Sequence, residues 1–142
     1  MKNIFYIFIV FVISISSCKK NIELQERIIS SFDNGKPEVI EFYEQEKDTQ
    51  VVKYYKEFYK NEQLKIEGYI KNNERDGHWI YYYENGNKWS EGNYINGLAE
   101  GKFIQYYENG GVWMYTFYKH DKKTKAILFN SDSTVAKEVV IN

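Results

Sequence analysis

The sequence is short of the residues that staple small folds or hold metals. One Cys and two His stand among 142 residues. That excludes a disulfide-stapled mini-protein and a zinc site built from four cysteines. Charge of one sign is also missing: 19 Lys and Arg against 20 Asp and Glu leave a formal net charge of -1. A chain so balanced offers no general attraction for phosphate backbones, so nucleic acid is not an expected partner. Mixed-sign charge with 43% hydrophobic residues also excludes an acidic disordered tail. The length suits one domain and is small for two. What the chain has in excess is aromatic residues, 18% of the total with 14 Tyr, 9 Phe and 3 Trp, although the mean hydropathy is -0.62.

The first residues read as an address. Lys2 precedes an apolar run from Ile4 to Ile13, followed by Ser14, Ile15 and the small residues Ser16 and Ser17. This is the layout of a secretory signal peptide, residues 1–17. The run falls short of the ~30 Å a spanning helix must cross, and Lys19 and Lys20 follow at once. Its end, Ile15-Ser16-Ser17-Cys18, resembles the lipobox of bacterial lipoproteins. The resemblance implies cleavage before Cys18 and lipidation of its thiol, and two or three acyl chains would hold the chain on a membrane. Lys19, where some lipoproteins carry an Asp retention signal, makes the outer membrane the expected location. Residues 18–27 read as a polar tether.

The body, residues 28–142, repeats with a period of 24. Tyr82-Tyr83-Glu84-Asn85-Gly86 returns as Tyr106-Tyr107-Glu108-Asn109-Gly110, and Trp89 as Trp113. One period earlier, Phe58-Tyr59-Lys60-Asn61-Glu62 lies on the same frame, and Glu67-Gly68 on Glu91-Gly92. The clear units are 58–81, 82–105 and 106–129. A weaker copy at Phe32-Asp33-Asn34-Gly35 is followed by extra residues around Glu44 to Gln50. Each unit reads as two strands joined by an Asn-Gly turn, with a second turn at Asn96-Gly97, leaving no room for a helix. The expected fold is all-β, an elongated antiparallel stack of hairpins. A last hairpin within residues 126–141 is expected to cap the open edge.

The order Tyr-Tyr-Glu-Asn-Gly, Glu-Gly-x-Tyr, Asn-Gly, acidic-Gly resembles the variant MORN repeat of bacterial proteins of the YwqK type. That resemblance implies the same elongated single sheet. Glu62 in place of the turn Gly, Asn73 in place of Gly97's counterpart, and the loss of both signals at His120-Asp121-Lys122-Lys123 depart from it.

Chemistry is sparse. No nucleophile elbow, P-loop or dinucleotide fingerprint is present, and His78 and His120 have no metal-ligand spacing. No catalytic residue, metal or cofactor is expected. Glu67 with Glu91 and Asp76 with Glu100 recur with the repeat and read as turn and strand-edge residues rather than as an acid/base pair. The aromatics read first as packing between hairpins, because they recur where the repeat needs filling. Tyr81, Tyr83, Trp89, Tyr107 and Trp113 could instead form a solvent-facing ladder for a partner. The expected function is an exported, lipid-anchored, non-catalytic binding or scaffold module at the cell envelope with a protein partner. The resemblance adds the alternative of an antitoxin or immunity protein that occludes a toxin. The oligomeric state stays open.

Overall fold

The computed structural model describes residues 24–141, and Cys18 with the signal segment lies outside them. Within the described residues the Asn-Gly signal builds one kind of turn repeatedly. In the turn from Tyr83 to Asn87, the Tyr83 N–H donates to the Asn87 carbonyl (2.8 Å) and the Gly86 N–H to the Tyr83 carbonyl (3.0 Å). The Asn85 side chain accepts from the Asn87 N–H (2.9 Å). The same bonds close residues 32–36, 59–63, 107–111 and 130–134. In each, Asn34, Asn61, Asn109 or Asp132 accepts from the N–H two residues on. Glu62 and Ser133 take the left-handed position, at φ 68° and 67°, that Gly holds in the other copies. The Asx side chain is therefore the shared requirement and Gly the cheaper filler. On the opposite border, Asn72-Asn73, Asn96-Gly97 and His120-Asp121 all have positive φ at both residues, the tight type I′ geometry that matches strand twist. His120-Asp121 keeps the turn although its Asn-Gly signal is gone.

The two turns alternate along an open antiparallel sheet whose strands follow chain order. The strands are β1 (Gln25–Ser31), β2 (Pro37–Glu46), β3 (Thr49–Phe58), β4 (Leu64–Lys71), β5 (Glu74–Tyr82), β6 (Lys88–Ile95), β7 (Leu98–Tyr106), β8 (Val112–Lys119), β9 (Lys122–Phe129) and β10 (Val135–Val140). The all-β hairpin stack is the observed architecture, with no helix among the described residues. The extra residues near Glu44 to Gln50 lengthen β2 and β3 to 10 residues each instead of forming a loop. β1 starts at Gln25, three residues inside the stretch read as a tether. Its polar residues find partners on β2 and beyond: Arg27 bonds Glu41 and Gln50, and Gln25 accepts from Tyr43. The last hairpin is present: β10 pairs with β9 and forms the terminal strand of the sheet, where Lys137 and Glu138 suit an exposed edge.

A single sheet has no second layer, so its core must be built from side chains lying on its own strands. One face carries a row of rings across the strands. Tyr55 stacks on Trp79 (5.9 Å between centroids), and Trp79–Tyr94, Tyr94–Phe103 and Phe103–Tyr118 meet edge to face at 6.3, 5.4 and 5.0 Å. Trp79 is 2% exposed and Phe103 6%. A bulge puts them there. β5 spends Asp76, Gly77 and His78 against Tyr69 alone, and β7 spends Gly101, Lys102 and Phe103 against Gly92. Gly77 and Gly101 supply positive φ, 82° and 76°, and each ring then lies flat over a glycine. A Cβ on Gly68 would sit 2.2 Å from the Trp79 ring, and one on Gly92 2.3 Å from Phe103. In the next unit Lys125 replaces Gly101, the bulge shrinks, and Ala126 meets Thr116 instead. A small partner there tolerates the Cβ that Gly68 and Gly92 must lack.

Gly92→Ala should lower stability in urea unfolding by about 1–3 kcal/mol through overpacking. Combined with Phe103→Ala, its cost should be smaller than the sum of the single changes, because the clash has gone. Strict additivity would show that the ring does not need the glycine.

Candidate functional site

The two faces of the repeats use tyrosine differently. On one face Tyr54 and Tyr82 both donate to Glu67, at 2.8 and 2.7 Å. One repeat on, Tyr106 donates to Glu91. Glu91 also receives Lys88 Nζ at 2.9 Å and lies 3.2 Å from His78 Nε2. Burial alone would raise the Glu91 pKa, but the bonds from Tyr106 and Lys88 and the nearby cationic groups outweigh it and hold the carboxyl below its usual range. Glu67 and Glu91 are thus mid-strand acceptors that clamp hydroxyls across neighbouring strands, a correction to their reading as turn and strand-edge residues. Asp76 and Glu100 do serve turns. Their carboxylates accept the Asn96 N–H (3.1 Å) and the His120 N–H (2.7 Å) of the following turn. All four carboxylates are occupied by the bonds that hold the stack together.

The opposite face, which carries the ring row, opens into a groove of about 370 Å³ across β5 to β8. Tyr81, Trp89, Tyr94, Phe103 and Tyr118 supply its rings, and Ser90, Gln105 and Asp121 its polar edges. Trp89 is 48% exposed and packs edge-on to Tyr81 at 5.9 Å. Arg75 adjoins the groove. Its guanidinium lies 4.5 Å from the Trp79 ring centroid, 5.4 Å from Tyr94 and 5.8 Å from Tyr81, and donates to the Tyr81 hydroxyl at 2.6 Å. The Tyr81 and Tyr94 hydroxyls share a further bond of 3.2 Å.

The five candidate aromatics fall into two groups. Tyr81 and Trp89 line the groove, with Tyr83 6.5 Å from Trp89 on its outer side. The Tyr83 hydroxyl donates to the Tyr106 carbonyl at 2.8 Å, as its copy Tyr59 does to Tyr82 at 2.7 Å, so it ties repeat to repeat. Tyr107 and Trp113 form a separate pair at 6.3 Å and do not line the groove. Arg75, Tyr94, Gln105 and Asp121 join the sequence candidates at the groove. The signal that finds Arg75 is its break with the repeat frame: one period on, its place is taken by Ala99, which is 5% exposed. Tyr81 and Trp89 likewise stand where the preceding unit has the ion pair Glu57–Lys65. The fold tolerates other residues in these slots, so the aromatic groove is particular to these units.

Residues 75–96 and 99–120 match the model of the MORN repeat variant family. The two matches coincide with the hairpins β5–β6 and β7–β8, whose strands line the groove, and so the chain carries variant MORN repeats over residues 75–120. They set the repeat boundary at the tight turns, where the frame 58–81, 82–105, 106–129 cuts within hairpins. No curated protein matches the chain.

The buried hydroxyls make the fold sensitive to alkali. Burial pushes Tyr54, Tyr82 and Tyr106 well above the ordinary value of 10.0, and the carboxylates they donate to push the same way. Tyr55 is raised to about 12 by burial and by Glu57. The unfolded chain would lose these protons at about pH 10 while the folded chain retains them, so stability is full below that pH and falls as pH rises through the folded values. The urea midpoint should hold steady from neutral pH to about pH 9 and drop above about pH 10, with a late phase of tyrosinate absorbance that coincides with unfolding. A single absorbance phase near the ordinary tyrosine value, with no loss of stability, would contradict it.

Proposed function

We propose that this protein is an exported, lipid-anchored, non-catalytic repeat module that binds a protein partner at the bacterial cell envelope, at the outer membrane. The observation that carries the binding role is the groove displayed by the two variant MORN repeats. Its ring pair Tyr81–Trp89 replaces an ion pair of the neighbouring unit, so the sheet does not need those rings there. An exposed indole beside half-buried tyrosines is the composition of an interface anchor. The anchor rests on the sequence before the sheet: an apolar segment, Ile15-Ser16-Ser17-Cys18, and Lys19 in the sorting position.

Two measurements test the two halves. Cys18→Ser should abolish fatty-acid labelling and move the protein from the membrane fraction to the soluble fraction; unchanged labelling would overturn the anchor. Affinity capture with the full chain should recover a partner whose binding falls about tenfold or more with Trp89→Ala. Trp113→Ala, outside the groove, should change it less than about twofold. Equal losses from both, or no partner at all, would overturn the groove as the binding site.

A further inference from the structure

Arg75, at the edge of the groove, is a cation with no ion-pair partner. Among the described residues no carboxylate lies within ion-pair distance of Arg75, and its guanidinium makes one side-chain hydrogen bond, to Tyr81. It therefore keeps N–H donors unused, in a half-buried site where an unmatched charge is costly. The neighbouring hydroxyls add to this. Tyr81 and Tyr94 share one hydrogen bond between their two O–H groups, which leaves one of the two protons as a donor with no protein acceptor. Cation and free donor converge on the same end of the groove, and both call for an acceptor that bears negative charge.

We propose that the groove takes an extended peptide of a partner protein that carries a single Asp or Glu, its carboxylate seated on Arg75 and the Tyr81–Tyr94 hydroxyls and its flanking apolar side chains over Trp89 and Tyr118. The inference rests on the binding role proposed above and names the chemistry of the partner. Ring geometry favours a peptide over a glycan. A sugar stacks on a flat platform, but neighbouring rings here meet at 84° (Tyr81–Trp89), 87° (Tyr94–Phe103) and 69° (Phe103–Tyr118). Edge-to-face rings leave notches that suit branched aliphatic side chains instead. Asp121 limits the charge. It lines the groove and accepts the Ala99 N–H at 3.2 Å on β7, two strands from Arg75 or about 10 Å away. A second carboxylate at that end meets a like charge, so the preferred ligand has one acidic residue in an apolar setting rather than an acidic run.

The test is selection of short random peptides displayed on phage against the full chain, with fluorescence titration of the best synthetic peptide. Selected peptides should share one Asp or Glu flanked by apolar residues, and replacing that residue by its amide should weaken binding about tenfold or more. Arg75→Gln should erase the difference between acid and amide. Tyr94→Phe, which keeps the ring and removes the hydroxyl, should weaken the acid peptide several-fold and leave the amide peptide unchanged, with an unaltered circular dichroism spectrum. Should Arg75→Gln fail to fold, Tyr94→Phe alone decides. Peptides selected without an acid, or an acid preference that survives Tyr94→Phe and Arg75→Gln, overturn the inference while the binding role stands. Binding only of a uronic-acid oligosaccharide or of phosphatidylglycerol vesicles overturns it as well. Failure to capture any partner overturns the binding role itself.

Discussion

A sheet with no second layer must build its interior from side chains that lie along its own surface. That constraint explains most of what the molecule contains. Only flat, wide side chains can exclude water from a layer one residue deep, hence the row from Tyr55 through Trp79, Tyr94 and Phe103 to Tyr118. Rings that lie over the neighbouring strand need room beneath them, hence Gly68 and Gly92. A ring so placed needs extra backbone to swing it into position, hence the bulges at Gly77 and Gly101. Tyrosine is favoured over phenylalanine because a thin layer leaves every ring edge near either water or a polar group. The Glu67 and Glu91 carboxylates and the Tyr82 and Tyr106 carbonyls receive those hydroxyls.

The period and the hairpin order were legible in the sequence because turn residues are chosen by backbone geometry, which acts locally. Asn85-Gly86 and Asn109-Gly110 announce their turns to a reader of neighbours alone. The copies at Asn61-Glu62 and Asp132-Ser133 are harder to see, since the shared element is an Asx side chain and the residue after it varies. The role of Glu67 was not legible. Its partners Tyr54 and Tyr82 lie 13 and 15 residues away on either side, and only the register of three strands brings them together. β1 was hidden for a different reason: an edge strand is paired on one side and wet on the other, so the polar Gln25–Arg27 can be a strand without an apolar pattern.

The candidate site was half visible. Tyr81 and Trp89 stood out as aromatics, yet aromatics are also what the repeat uses as filler, and composition alone could not divide the two uses. Frame comparison does. A residue shared by the three clear units, such as Tyr59, Tyr83 and Tyr107, belongs to the stack, whereas Arg75 and Ala99 occupy one slot with opposite characters. Departures from a repeat thus carry information in proportion to how strict the repeat is. Arg75 is the clearest such departure, because a charge is placed among rings where its copy is a buried alanine.

Two of the repeat-specific bonds described above connect a hairpin to the next one along the chain, Tyr59 to Tyr82 and Tyr83 to Tyr106, while Asp76 to Asn96 and Glu100 to His120 tie the start of a hairpin to its own closing turn. They run in one direction with one step, like links. Removing or duplicating a block of 24 residues would leave each remaining link with an equivalent mate, so the number of hairpins is open to change by simple gene duplication. Such a chain can lengthen or shorten its reach without redesigning a core, and a newly gained copy is free to acquire its own Arg75.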